Sequence, residues 1–224
     1  MINSFDDFVK KLLDVGFTMG GGNSEGIYAV IPWNWNEEAP HDSPIAWHTG
    51  NPETDPWEWR IRVLRERDDI AYAKVFNKKS GFITKEWYPH FLSVRRGDST
   101  FEEAYADGLI SNFAKRIYET VCENGTIAAD IIKQKAGFSK EDKSGFDKAL
   151  IELQMKMYIT ICGEQKLKAW PSNVFCTTEH FWGEEVFEKS QALYPKDAYE
   201  QIKQQILKIN PAALDKKIKK FIPG

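Results

Sequence analysis

Apolar residues recur at helical spacing through residues 126–157 and then switch to strand-like alternation. Ile127, Ile131 and Ile132 share one helical face behind Thr126, a suitable N-cap, and Gly137 is placed to stop that helix. Ser139 can cap a second helix whose inner stripe is Phe146, Ala149, Leu150, Leu153 and Met157. Residues 158–162 read as a strand, 163–173 as a loop and 174–178 as a returning strand. With a helix over 109–123 in front, the order is helix, helix, helix, hairpin, the outline of a winged helix-turn-helix. The expected fold class is therefore α+β. A winged helix-turn-helix, helices plus a β-hairpin wing, spans 109–182. An N-terminal α+β part spans 1–108, and C-terminal helices span 183–224. The short connection around 97–108 is equally compatible with one fused unit.

The N-terminal part is punctuated by clear caps. Ser4 can cap an amphipathic helix with Phe5, Phe8, Leu12 and Leu13 facing inward and Gly16 past its end. Gly20, Gly21 and Gly22 follow a helix and lack the G-x-x-x-x-G-K pattern, so they read as a flexible turn and not a phosphate cradle. Residues 27–31 read as a buried strand. Residues 34–56 form a long polar loop with Pro40, Pro44, Pro52 and Pro56, whose tryptophans argue for order. Asp55 followed by Pro56 is a helix start, after which Trp57, Ile61 and Leu64 point one way. Residues 70–76 read as a strand and 77–81 as its turn. Thr84 or Lys85 opens a helix through Trp87, Phe91 and Val94, closed by Arg95, Arg96 and Gly97. Ser99 and Glu102 have capping-box spacing, and three more helices are expected at 184–193, 197–209 and 214–221.

Composition narrows the class. A hydrophobic fraction of 42% and a charged fraction of 28% are those of a globular protein, and no apolar run approaches the ~20 residues of a membrane span. The first eleven residues contain no apolar core of a secretory signal. Cys122, Cys162 and Cys176 lack CxxC spacing; they read as inert thiols in a reducing cytoplasm, with Cys162 and Cys176 possible neighbours on the wing strands. Net charge is −3, which is no global footprint for nucleic acid. Any such surface must be local. Residues 126–178 carry a net charge of +2 and residues 196–220 a net charge of +4, the latter including Lys216, Lys217, Lys219 and Lys220. A solvated, helix-ending lysine cluster is the other reading of that tail.

Six of the eight tryptophans lie within residues 33–87, beside His41, His48 and His90. Aromatic rings next to arginines suit base stacking, cation–π contact and phosphate pairing; the same rings on helix faces also suit a core. The DNA-binding candidates are Trp47 and Trp57 for stacking, with Arg60, Arg95, Arg96, Lys140 and Lys148 for the backbone. A hydrolytic reading uses Asp55 or Glu58 as general base and His48 or His90 as acid, although capping already explains Asp55. His48, Asp55 and His90 have no recognisable metal-ligand spacing, so neither metal nor cofactor is expected. The outer ridge of the second helix carries Lys140, Ser144, Lys148, Ile151 and Met155. It offers no Arg, Asn or Gln to read a base edge bidentately, which favours a scaffold or protein-contact role as much as DNA reading.

The segments 54–60, 71–79 and 86–91, together with 139–143 and 151–155, resemble an uncharacterised bacterial family, common in Firmicutes, that is described as AlkZ-related. The resemblance runs over nearly the whole chain. It implies kinship with winged-helix DNA glycosylases, which excise damaged bases using an N-terminal Gln-x-Gln or Gln-x-Asp motif. The first glutamine here is Gln134, so that motif is absent and no catalytic residue carries over. The expectation is a DNA-associated relative lacking the motif. The alternatives are a protein-interaction or small-ligand regulatory module, and an enzyme centred on His48, His90 and Asp55.

Overall fold

The computed structural model describes residues 2–22, 26–165 and 171–224. Helix α1 (Phe5–Val15) starts where Ser4 Oγ accepts the Asp7 N–H at 3.2 Å and ends at Gly16, φ 88°. Its inner face is Phe5, Phe8, Val9, Leu12 and Val15; Leu13, expected to face inward, lies at the edge of that stripe and is exposed. Strand β1 (Phe17–Met19) follows. Residues 27–31 are mostly buried beside it but form no strand. Met19 N–H reaches the Tyr28 carbonyl, whereas Val30 N–H is taken by the Thr18 hydroxyl, and that side chain interrupts the ladder. The chain then runs without helix or strand to Asp55, which caps α2 (Pro56–Glu66). The buried face of α2 is Trp59, Arg60, Ile61 and Val63; of the three residues expected to share a face, Ile61 is buried and Leu64 half-buried, whereas Trp57 is 39% exposed.

Strand β2 (Ile70–Phe76) covers the residues expected to form a strand. The turn after it is shorter than expected. Asn77 and Lys78, both at positive φ, suffice, and residues 79–84 form β3 (Lys79–Thr84) where a turn and a helix start were expected. Helix α3 (Tyr88–Arg96) ends at Gly97, and the capping box of α4 (Phe101–Ala106) uses Thr100 and Glu103, one residue later than its expected position. Next come α5 (Asn112–Asn124), β4 (Thr126–Ala128), α6 (Ala129–Lys135) and α7 (Lys143–Met155), then β5 (Ile159–Gln165) and β6 (Ser172–Thr177). Thr126 opens β4 instead of capping a helix, because residues 126–128 pair with β6 and the cap moves to Ala128. Ser139 lies in the turn before α7, bonded to Asp142, and Met157 is buried beyond the helix end at φ 61°. Of the expected loop 163–173, residues 163–165 and 172–173 extend the strands; 166–170 lie outside the described residues. Helices α8 (Thr178–Trp182), α9 (Glu184–Gln191), α10 (Pro195–Ile209) and α11 (Asp215–Phe221) complete the chain.

The described strands form one antiparallel sheet in the order β1-β3-β2-β5-β6-β4, joined across its middle by the Tyr72–Ile161 pair. Helices cover both faces, so β2 is apolar on both sides. Ile70 and Tyr72 join a core with α1, α2, α5 and α7; Ala71, Ala73 and Val75 join another with α3, α9, α10 and α11. A register irregularity between Ala73 and Phe76 turns Phe76 into the second core, stacked on Phe221 at 4.1 Å. Lys74 is the exposed position of β2 and opens a gap in the sheet's cover. Cys162 and Cys176 are free thiols on paired strands, and the Cys162 thiol donates to the Val174 carbonyl at 3.6 Å. Among the described residues no helix is long and apolar enough to cross a membrane.

Candidate functional site

Above Lys74 the helix α2, the ends of β1, β2 and β3 and the long loop enclose a pocket of about 430 Å³. Trp35, Trp47 and Trp57 form its aromatic walls, with Arg60, Tyr72 and Lys74 beneath them. Trp35 and Trp47 meet edge to face at 6.0 Å, and the His48 ring lies 5.0 Å from Trp57. Trp47 fits only because Gly21 has no side chain: a Cβ there would lie 2.4 Å from the indole ring. The glycine run expected to be a flexible turn is thus a packing surface for Trp47.

Arg60 supplies the pocket's buried charge. Its guanidinium lies 3.9 Å from the Trp57 ring centroid, and Nη2 donates to Glu164 Oε1 at 2.9 Å. Both side chains are about nine-tenths buried, and Arg60 Nε has no hydrogen-bond partner among the described residues. A buried ion pair is costly to desolvate and contributes little net stability, so this one is better explained by the pocket it lines. The arrangement suits a planar ligand that offers a π face to the indoles and acceptors or negative charge to Arg60 and Lys74.

Asp55 is buried and does not line the pocket. Its Oδ1 accepts the N–H groups of Trp57 (2.8 Å) and His48 (3.1 Å), and Oδ2 accepts that of Gly50 (2.9 Å). The carboxylate therefore fastens the loop carrying Trp47 and His48 to the start of α2. Glu58 stands half-buried in the first turn of α2, outside the pocket lining. His90 is part of a different neighbourhood: its ring packs on Trp87 at 5.0 Å and its Nε2 lies 3.0 Å from Gln201 Oε1. The structure does not bring His48, Asp55 and His90 together, and among the described residues no three His, Cys, Asp or Glu side chains are grouped to hold a metal.

The remaining candidates separate by role. Arg95 donates to the carbonyls of Val75 (2.7 Å), Ile222 (2.9 Å), Met155 (3.0 Å) and Phe221 (3.1 Å). Burial pulls its pKa down, while four carbonyl acceptors favour the charged form. Arg96 donates to Glu179 at 2.7 Å and lies over Tyr158 at 4.4 Å. Both arginines are thus engaged internally. Lys140 is exposed in the turn before α7, and Lys148 is exposed on that helix at the edge of a second cavity. Trp35, Tyr72, Lys74 and Lys79 line the aromatic pocket without having been candidates. Lys74 was the findable one, as the lone charge in an apolar strand.

A family model described as "AlkZ related" matches residues 2–223 of the chain. Comparisons with curated proteins and with solved structures gave no match.

Proposed function

The chain belongs to the AlkZ-related family, and from that premise we propose that it is a DNA-associated protein whose tryptophan pocket receives a single base turned out of its strand. The observation that carries the reading is the meeting of Trp35, Trp47 and Trp57 around a cavity of about 430 Å³ with Arg60 in its wall. Aromatic faces beside a cation are what unstacked bases bind. Within this reading residues 109–182 are a winged helix: α5, α6 and α7 precede the β5–β6 hairpin, and β4 adds the third strand. Residues 1–108 carry the pocket and 183–224 cover the opposite face of the sheet.

The reading is one of recognition and omits base excision. The glutamine motif of the glycosylases is missing, and all three bonds to the Asp55 carboxylate come from backbone N–H groups that a proton transfer would have to disturb. Arg95 and Arg96 are engaged internally and Arg60 is paired with Glu164 in the pocket wall, so the backbone contacts fall to lysines, Lys148 among them.

The test is a titration of intrinsic tryptophan emission with single-stranded, duplex and abasic-site DNA at two salt concentrations. Quenching is expected, and Trp57→Ala should weaken binding by the ~1–3 kcal/mol of one base–aromatic stack, roughly 5- to 150-fold. Trp57 is 39% exposed, so its removal leaves the cores intact. DNA binding with no change in emission, or with full affinity in Trp57→Ala, refutes the pocket assignment. A saturable, salt-independent response to small ligands but not DNA would favour the regulatory-module alternative.

A further inference from the structure

A second and larger cavity, about 790 Å³, runs between α7, α11 and the β2–β3 turn. Lys78, Lys148, Lys156 and Lys220 stand around it, and Ile151 and Met155 contribute apolar surface. None of these four lysines pairs with a carboxylate among the described residues; Lys219, also in the wall, is held by Asp215 at 2.8 Å. Glu152 is the one acidic side chain in the lining, and both its oxygens are occupied. Oε1 accepts the Ser111 N–H at 2.9 Å and Oε2 the Ser111 hydroxyl at 2.7 Å. The groove therefore carries an excess of cationic side chains, four lysines and Arg95 against one carboxylate in its lining, with Lys219 balanced by Asp215.

Its shape is fixed from below. The four Arg95 bonds tie the last residues of β2, α7 and α11 to one guanidinium, so three walls hold their spacing together. The groove also adjoins the tryptophan pocket along the chain. Asn77 and Lys78 line the groove, whereas Lys79 and Ser80 line the pocket. Lys74, in the pocket, lies on β2 four residues before Lys78, which is in the turn that ends the strand. Sites for single strands combine a cationic groove with aromatic stacking platforms, and here the two features sit on either side of one hairpin turn.

We propose that this groove is a track for the phosphodiester backbone of a single strand, which crosses the β2–β3 turn to place one base among Trp35, Trp47 and Trp57. The proposal rests on the reading of that pocket as a base receiver. The apolar positions Ile151 and Met155 face sugars and unstacked bases, and the lysines face phosphates. Lysines read no sequence, so the track accepts any strand.

The experiment is the anisotropy of an end-labelled oligothymidylate, with tryptophan emission followed in parallel, at about 50 and about 200 mM salt. Four phosphates neutralised on a single strand give a salt slope near −2.8, so affinity should fall about fiftyfold between those concentrations. Lys148→Ala with Lys220→Ala should cut that to about sevenfold while leaving quenching at saturation unchanged. Both residues are exposed, and far-UV circular dichroism checks that the fold is retained. An unaltered salt dependence in the double variant, with quenching intact, overturns the track and leaves the pocket reading standing. Lost quenching with a fiftyfold salt effect overturns the pocket reading instead. Tighter binding of a duplex of equal length overturns the single-strand assignment. Displacement of the oligonucleotide by phosphatidylserine vesicles, reversed by the same double substitution, would make the groove a lipid site and also overturn it.

Discussion

Replacing Asp55 by asparagine tests whether the pocket is built by its carboxylate or merely contains it. Asp55 is fully buried, and three N–H groups, from Trp57, His48 and Gly50, converge on its two oxygens. Asparagine has the same shape but one acceptor oxygen and no charge. If that oxygen keeps the Trp57 and His48 bonds, each weakens by ~1 kcal/mol, the difference between charged and neutral acceptors. The amide nitrogen then faces the Gly50 N–H, donor against donor, which leaves a buried group unsatisfied at a further ~1–3 kcal/mol. The expected loss is about 3–5 kcal/mol, or a Tm lower by roughly 6–20 °C for a chain of this size. Urea unfolding followed by far-UV circular dichroism measures it independently of the tryptophans. The folded variant should also show red-shifted tryptophan emission as the loop bearing Trp47 loosens. Asp55→Asn unfolding within about 0.5 kcal/mol of the parent would refute the fastening role. If that stable variant also lost an enzymatic activity, Asp55 would again be a candidate for chemistry.

Gly21→Ala should cost about 1–3 kcal/mol by overpacking and displace Trp47, because the new Cβ would sit 2.4 Å from the indole ring; unchanged emission and stability would show that the ring is not seated there. Burial pushes the Tyr88 hydroxyl up to about 12 from its ordinary 10.0, so the folded state holds that proton while the unfolded chain releases it. Its contribution is constant below pH ~10 and lost as the pH rises toward 12, and Tyr88→Phe should flatten that alkaline decline in the urea midpoint; an identical decline would refute the assignment.

The parts of the fold that were legible from sequence carry local punctuation. Ser4 and Gly16 bracket α1, Asp55 and Pro56 open α2, and Gly97 closes α3, each acting through atoms within a few residues. The elements that escaped, β1, β3 and β4, are short or polar, and they become strands only through partners far away in sequence. Thr126 pairs with Cys176, and Phe17 pairs with Ile83. The orientation of α2 had the same limitation. Trp57 and Trp59 are equally apolar and point to opposite sides. The choice is made by Phe5 and Phe8, which receive Trp59, and by Glu164, which holds Arg60 from a strand 104 residues away. The candidate site was therefore found as a region but with one of its walls, Trp35, and its charged base, Lys74, unrecognised.

The same distinction explains why arginine was a poor guide to the charged surface. In this fold the guanidinium groups act mainly as internal forks. Arg62 joins Glu53 to Glu66, Arg67 grips Asp69, Arg116 caps the carbonyls of Ala136 and Gly137, and Arg95 gathers four carbonyls. A rigid planar donor set suits such fixed acceptors, whereas a lysine is a mobile point charge that gains less from them and stays in solvent. The absence of arginine from residues 126–178 therefore does not argue against a polyanion surface there. The informative signal was net charge by segment. Residues 126–178 carry +2 and residues 196–220 carry +4, and folding sets Lys148 and Lys156 from the first against Lys219 and Lys220 from the second across one groove. Two modest local excesses add where α7 meets α11, which is how a chain of net charge −3 can present a cationic track.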